Sequence, residues 1–259
     1  MMIKNTKSFI EFCKEIGIID IIGKEPSVKF IEKEPSIKFI EKKKIKKSNF
    51  SNEKIEKNEK ILKNLEKTNK KQKLEELRLK ISNLCCNLKD TATNLVLSDG
   101  NINSKIMFIG GAPRTEEDRT GIPFVGEGGK LLHNMLFHVG LTKLNCYFSN
   151  LIFWRPPGNR QPNNEEIQAC LPLTKEHIEI IRPEIIILVG GLAANKILNM
   201  NDSITKIRGK EFMYSNKDRK IKTFVVFHPE FLIENITQKK KMWLDLTEIK
   251  KATRKIKYE

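Results

Sequence analysis

The stretch KIMFIGGAPR, residues 105–114, joins a short apolar run to a turn rich in Gly and Pro. Three similar apolar runs follow along the chain, at residues 146–150, 184–190 and 222–227. Between the runs lie segments with apolar residues at helical spacing, such as GKLLHNMLFHVG and NEEIQACLPLTKEHIEII. Strands that alternate with helices predict a parallel sheet covered on both faces. We therefore expect a three-layer α/β/α sandwich with a central four-stranded parallel sheet.

The residues that end or follow these strands indicate where a site would form. The first run leads into GGAP at residues 110–113, the second ends at Asn150, and His228 follows the fourth. Ligands of open α/β sheets bind beyond the carboxyl ends of the strands. We therefore expect these residues to meet at one edge of the sheet.

The composition narrows the class of protein. The chain carries 48 Lys and Arg against 32 Asp and Glu, a formal net charge of +16. This balance suits a polyanionic partner such as nucleic acid, although an AT-biased genome would also enrich Lys, Ile and Asn. Its five cysteines are an odd number, which disfavours a secreted disulfide framework and favours the reducing cytoplasm. No apolar run approaches the ~20 residues that span a bilayer, so we expect a soluble protein outside membranes.

The first 84 residues differ in texture from the rest. Residues 1–22 contain apolar residues at helical spacing, which predicts an N-terminal helix. Residues 23–52 contain the duplicated unit KEPSVKFIE and KEPSIKFIE, which indicates a low-complexity linker. Residues 53–84 alternate Glu and Lys around spaced apolar positions, which predicts a charged helix that is largely solvated. We assign residues 85–259 to the α/β domain.

Five ordered motifs in this domain resemble those of family 4 uracil-DNA glycosylases. They are GGAPRTEEDRTGIPFVGEGGKLL (110–132), SNLIFWRPPGNRQP (149–162), EIQACLPL (166–173), PEIIILVGGLAA (183–194), and HPEFL with KKKMWLDL (228–232 and 239–246). The resemblance implies a DNA repair glycosylase that hydrolyses the N-glycosidic bond of uracil in DNA during base excision repair. The alternatives are a catalytically impaired DNA-binding protein of the same fold, and a fragment or partner of a replicative polymerase.

The resemblance also implies roles for individual residues. Phe124 corresponds to the aromatic on which the extruded base stacks. Asn150 would accept a hydrogen bond from N3–H and donate one to O4, a pattern that distinguishes uracil from cytosine. His228 would donate to O2 as negative charge develops on the base. The remaining predicted pocket residues are Gly110, Gly111, Ala112 and Pro113, and the predicted DNA contacts are Arg155, Arg160 and Lys239.

The first motif departs from the family pattern at two positions. Gly111 stands where the family has an acid thought to position or activate the attacking water, and Arg114 replaces the second glycine. Glu117 and Asp118 match the acidic run that follows and are the candidates for a catalytic carboxylate. The alternative is that these two acids are solvated loop charges or cap a helix. Gly111 therefore separates an active enzyme from an impaired one.

The cysteine pattern departs from the family as well. Family 4 members hold a 4Fe-4S cluster on four cysteines, of which Cys86 and Cys170 match two, while Asn83 and Trp154 stand at the other two positions. Four thiolates are the normal requirement for such a cluster. We therefore expect that the cluster is lost, that Trp154 fills its space, and that no cofactor is required for the chemistry. The expected partner is DNA containing uracil, bound by a monomer.

Overall fold

The computed structural model describes residues 68–216 and 219–254. The predicted N-terminal helix, the linker and residues 53–67 of the charged segment lie outside the described residues and remain predictions. At the centre is a six-stranded sheet of order β1-β3-β2-β4-β6-β5. Its strands are β1 (Ser98–Gly100), β2 (Ile106–Gly110), β3 (Tyr147–Asn150), β4 (Ile185–Val189), β5 (Glu211–Asn216) and β6 (Arg219–Val226).

The four central strands, β3, β2, β4 and β6, run parallel to one another and confirm the predicted sheet. Two antiparallel edge strands, β1 and β5, were not predicted. The three residues of β1 are Ser, Asp and Gly, which are depleted in strands and typical of turns. In β5 most side chains are exposed or half-buried, so no apolar run marks it, and its pairing with β6 holds it in place.

Helices cover both faces of the sheet. None of the helices among the described residues combines the length and apolar composition needed to cross a bilayer. The described helices are α1 (including residues 68–82), α2 (Leu88–Thr91), α3 (Thr115–Thr120), α4 (Gly126–His138), α5 (Asn164–Ile181), α6 (Gly191–Ile197), α7 (Ile204–Ile207), α8 (Pro229–Glu234) and α9 (Lys239–Thr253). Short 3₁₀ turns lie at Pro157–Asn159 and Ile236–Gln238.

Alternation along the strands divides the core into two layers. Met107 and Ile109 of β2 belong to a buried cluster that includes residues of α1, α5 and α6. Phe108, between them, points to the opposite face and stacks on Phe148 of β3 with ring centroids 5.0 Å apart. His133 of α4 meets Phe148 edge-on on this second face. The two layers hold β2 and β3 in a fixed position at the centre of the sheet.

Helix α1 contributes more to the core than its charge suggests. Leu74, Leu77 and Ile81 lie at helical spacing and are buried in the first cluster. A single apolar stripe therefore anchors this part of a segment that we expected to be largely solvated. Full burial of each such side chain stabilises the fold by about 1.5–3 kcal/mol.

Helix α9 is linked to the strand that leads to the candidate site. Asp245 of α9 is buried and accepts a hydrogen bond from Arg208 Nε at 2.7 Å. The Arg208 guanidinium lies over the Phe227 ring, 5.6 Å from its centroid, a cation–π geometry. Phe227 directly precedes His228, so this ion pair connects the C-terminal helix to the carboxyl end of β6.

Candidate active site

A cleft of about 240 Å³ opens at the carboxyl ends of β2, β4 and β6. The cleft is lined by four segments, which lie within residues 111–114, 156–162, 189–192 and 228–234. These segments are far apart in sequence and meet because the central strands are parallel. The turn after β2 and His228 therefore lie in one cleft, as expected from the strand ends.

Gly110, Phe124 and Asn150 meet beside this cleft. Gly110 and Asn150 are register partners in the parallel pair β2–β3. A Cβ atom at residue 110 would collide with Asn150 Oδ1 and lie 2.9 Å from Phe124 Cζ. Asn150 is 2% exposed and Phe124 is 4% exposed. The absence of a side chain at Gly110 thus allows a carboxamide and an aromatic ring to approach the same backbone position.

Phe124 has an unusual backbone conformation. Its φ is 55°, in the left-handed region that bulky residues rarely adopt. Its N–H donates to the Glu117 carboxylate, and a Cβ at Gly129 would collide with its backbone, so the surrounding residues hold this conformation in place. Its ring meets Phe148 edge-on at 5.9 Å. Strain that a fold maintains in this way points to a functional requirement for the position of the ring.

Glu117 and Asp118 are adjacent, but their carboxylates bind different segments. Glu117 accepts hydrogen bonds from the Phe124 N–H and, at 2.8 Å, from the Arg114 N–H at the start of α3. Burial raises the pKa of its carboxyl group, and the hydrogen bonds act against this. Asp118 accepts from the N–H groups of Thr93 and Asn94 at 2.8 and 3.1 Å. Both carboxylates anchor loops in this arrangement.

The amide nitrogen of Asn150 is a buried donor without a satisfied hydrogen bond among the described residues. The Asn150 side chain lies near enough to Glu117 to lower the pKa of that carboxyl group, but the geometry falls short of a hydrogen bond. A buried donor left unpaired costs about 1–3 kcal/mol. Asn150 Nδ2, at the carboxyl end of β3, is therefore a donor suited to an acceptor atom of a ligand.

His228 forms the N-cap of α8. Its Nδ1 accepts a hydrogen bond from the Glu230 N–H at 3.4 Å, which assigns the ring proton to Nε2. Burial lowers its pKa to about 4, and the positive charge of Arg114 acts in the same direction. Gly190 has a φ of 93°, and a Cβ there would lie 3.3 Å from His228 Cβ. The imidazole is therefore a neutral donor at neutral pH, held against the turn after β4.

Sequence reasoning did not assign Glu230, Arg114 or Leu192 to the site, yet all three line the cleft. Arg114 Nε lies 4.0 Å from Glu230 Oε2. Glu230 also lies against α4, since a Cβ at Gly128 would be 2.7 Å from Glu230 Oε1. The available sequence signal for Glu230 was its position two residues after His228 in HPEFL.

The residues predicted to contact DNA are placed differently from one another. Arg160 lines the cleft and makes a two-pronged ion pair with Glu166, with distances of 2.9 and 2.6 Å. Arg155 Nε donates to Asn159 Oδ1 at 2.7 Å. Arg155 and Lys239, the first residue of α9, are not among the lining residues. Contact of all three residues with DNA remains a prediction.

The residues at the expected cluster positions do not fit a four-thiolate site. Cys86 packs against the core cluster that contains Cys170 and Trp154. Burial raises the pKa of the Cys170 thiol to about 12, and the nearby Cys86 adds to this. Trp154 is 3% exposed and meets Phe153 edge-on at 6.4 Å. Across the described part of the chain, no three His, Cys, Asp or Glu side chains are grouped so as to hold a metal ion.

Comparison with known proteins identifies the family of this chain. Residues 97–247 match the Uracil DNA glycosylase superfamily, so the chain belongs to that superfamily. Its similar relatives include the Type-4 uracil-DNA glycosylase of Archaeoglobus fulgidus, 38% identical over 56% of this chain and 74% of the relative. The Type-4 enzyme of Saccharolobus solfataricus is 39% identical over 64% of this chain and 80% of the relative. That of Thermotoga maritima is 37% identical over 67% of this chain and 89% of the relative.

Proposed function

We propose that this protein is a DNA repair glycosylase that hydrolyses the N-glycosidic bond of uracil in DNA. The observation that carries the proposal is the meeting of Phe124 and Asn150 at Gly110, beside the cleft that His228 enters. The names of its relatives and its net charge of +16 support the same substrate. We further propose that it acts as a monomer in the cytoplasm.

Recognition of the base begins with its removal from the stack, because the glycosidic bond must reach the pocket. Phe124 provides a flat apolar face on which an extruded base stacks. Asn150 Nδ2, which lacks a satisfied hydrogen bond among the described residues, donates to uracil O4, and Oδ1 accepts from N3–H. Cytosine would present an amino group to the Asn150 donor, which would leave both groups without an acceptor. The pocket therefore selects uracil.

Bond cleavage leaves an electron pair on the base and oxocarbenium character on the sugar. The negative charge of the departing uracil spreads to O2, where the Nε2–H of His228 donates a hydrogen bond. Because burial keeps the imidazole neutral, the donor is present throughout the neutral pH range. This contact strengthens as the bond breaks, which is the condition for lowering the barrier.

The catalytic roles of Glu117 and Asp118 remain predictions. The backbone hydrogen bonds of Glu117 support a role in holding Phe124, and those of Asp118 support a role in holding residues 93–94. Glycine stands at residue 111, where the family has an acid. The second candidate function is therefore binding of uracil-containing DNA without cleavage.

We also propose that the protein needs no iron-sulfur cluster. The packing of Trp154 in the cluster of residues that includes Cys170 supports this, because apolar burial supplies the cohesion that a cluster would otherwise provide. The chemistry proposed for the pocket involves no redox step.

The test uses the full chain and oligonucleotides with one uracil, single-stranded and in duplex. After incubation, alkali breaks the strand wherever a base has been removed. Cleavage at uracil, with none in matched oligonucleotides carrying cytosine or thymine, is the expected result. Tight binding to uracil-containing DNA without cleavage would instead establish the second candidate function.

A further inference from the structure

The wall of the cleft beside Gly111, where the family's acid would stand, is apolar. A Cβ at Gly111 would lie 3.3 Å from Leu192 Cδ2. Leu192 therefore borders residue 111, and its flexible side chain would have to shift by only a few tenths of an ångström to admit a side chain there. A carboxylate that faces the reacting atoms has to come from another segment of the cleft.

Glu230 is placed to provide a carboxylate that faces the cleft. Its side chain is 37% exposed and lines the same cleft as His228. Gly128 of α4 leaves room for Oε1, and Arg114 Nε lies 4.0 Å from Oε2. The charge of Glu230 raises the pKa of Glu117, so Glu230 also lies within electrostatic range of the base pocket. Its carboxylate thus lines the cleft together with His228 and lies within electrostatic range of Glu117.

Glu234 also lines the cleft, but it is an exposed residue at the last position of α8. The two acids predicted from the sequence, Glu117 and Asp118, are engaged with the backbone. Glu117 accepts from two backbone N–H groups, as does Asp118. Among the described residues, the charged group within 4.0 Å of the Glu230 carboxylate is Arg114, and this contact is long for an ion pair. An acceptor position on Glu230 therefore remains open to a molecule in the cleft.

We propose that Glu230 is the carboxylate that holds and deprotonates the attacking water, in place of the acid absent at Gly111. This inference rests on the proposed glycosylase function. As the C1′–N1 bond breaks, its electron pair leaves with uracil, and the water oxygen forms the new bond to C1′. The water proton passes to Glu230 and then to solvent, and the uracil anion takes up a proton from solvent. Arg114 is a positioning residue that orients the carboxylate.

The first test compares Glu230→Gln with Glu127→Gln. Glu127 is an exposed acid next to Gly128 and does not line the cleft, so it is a matched control. With protein in excess over uracil-containing DNA, we expect Glu230→Gln to slow excision about 10²-fold or more while the Kd changes by less than about threefold. Glu127→Gln should match the wild type in both. Unfolding midpoints report whether each variant is folded.

The second test is rescue of the Glu230→Gln variant by a carboxylate at residue 111. Gly111→Glu in the Glu230→Gln background should recover about tenfold or more of the lost rate, since it returns a carboxylate to the cleft. A structural role for Glu230 would not be rescued in this way. If Glu230→Gln unfolds, Glu230→Asp keeps the charge and retracts it by one methylene group, and we expect it to fold and to excise uracil more slowly.

Two outcomes separate the inference from the proposed function. A wild-type protein that does not cleave uracil-containing DNA overturns both. A wild-type protein that cleaves, with Glu230→Gln or a folded Glu230→Asp at the wild-type rate, overturns the role of Glu230 alone. If Glu117→Gln slows excision while Glu230→Gln keeps the wild-type rate, Glu117 is the residue that holds and deprotonates the water.

Discussion

Gly110 and Asn150 are register partners at the ends of β2 and β3, and the Asn150 carboxamide occupies the space that a side chain at residue 110 would need. The Phe124 ring borders the same space, with Cζ 2.9 Å from the position of a Cβ atom. The absence of a side chain at Gly110 thus determines how close the ring on which a base would stack lies to the amide that would hydrogen-bond to that base.

The substitution Gly110→Ala should therefore close the pocket. We expect uracil excision to fall about 10²-fold or more because a displacement of about 1 Å in a catalytic site has this cost. Overpacking should also lower the free energy of unfolding by about 1–3 kcal/mol. Single-turnover kinetics and urea denaturation measure the two effects. Gly111→Ala is the control, since its Cβ meets the flexible Leu192 side chain; equal losses in both variants would contradict this account.

Asn150 and His228 should affect different steps. We expect Asn150→Ala to lose selection of uracil, with weaker binding to uracil-containing DNA and a smaller difference from a matched cytosine oligonucleotide. His228→Ala should slow excision about 10²-fold while binding persists, because its hydrogen bond matters most in the transition state. Kd values and single-turnover rates for both variants make the comparison. Loss of binding in His228→Ala with an unchanged rate would reverse the assignment.

The stability of the protein should decline as the pH falls from about 6.5 to about 4. His228 has a pKa of about 4 and the buried His177 one of about 3, both below the ordinary value of 6.5. In this pH range the unfolded chain binds protons that the folded chain does not, which favours unfolding. His228→Asn keeps an N-cap residue and removes the titration, so its free energy of unfolding should depend less on pH. Urea denaturation at several pH values tests this, and identical slopes would refute it.

The purified protein should contain no stoichiometric iron or acid-labile sulfide, even after anaerobic purification, because two matched thiols cannot hold a four-thiolate cluster. The double variant Asn83→Cys, Trp154→Cys is the informative comparison, since it places cysteine at the two positions where this chain differs from the family pattern. Iron and sulfide analysis of the two proteins is the measurement. Stoichiometric iron in the wild type would show that another cysteine, the exposed Cys85 or the buried Cys146, serves as a ligand beside Cys86 and Cys170.

The central sheet could be predicted from the sequence because its strands are buried on both faces. Ile185–Val189 is an unbroken apolar run, as a strand of this kind requires. Asn150 and His228 stood out because they follow such runs at the edge where parallel sheets bind ligands. Strand β5 escaped prediction because its position comes from pairing with β6 and not from a pattern of its own.

The surroundings of Glu230 depend on contacts that no local pattern encodes. Glu230 meets Gly128 and Arg114, each more than a hundred residues earlier in the chain. The strained backbone of Phe124 likewise depends on the Glu117 carboxylate and on Gly129. Residue types and spacing identified the motif, whereas only the folded chain shows which carboxylate holds a loop and which one faces the cleft.

Through the ion pair between Arg208 and Asp245, helix α9 helps to support Phe227, the residue that precedes His228. A stop codon or a proteolytic cut before Asp245 would remove this ion pair and weaken the hold on Arg208 over the Phe227 ring, so His228 would lose part of its support. Such a shortened protein could keep most of its sheet and still fail to repair DNA. A late truncation in the gene should then behave as a null allele, although the shortened chain still contains every residue predicted for the pocket.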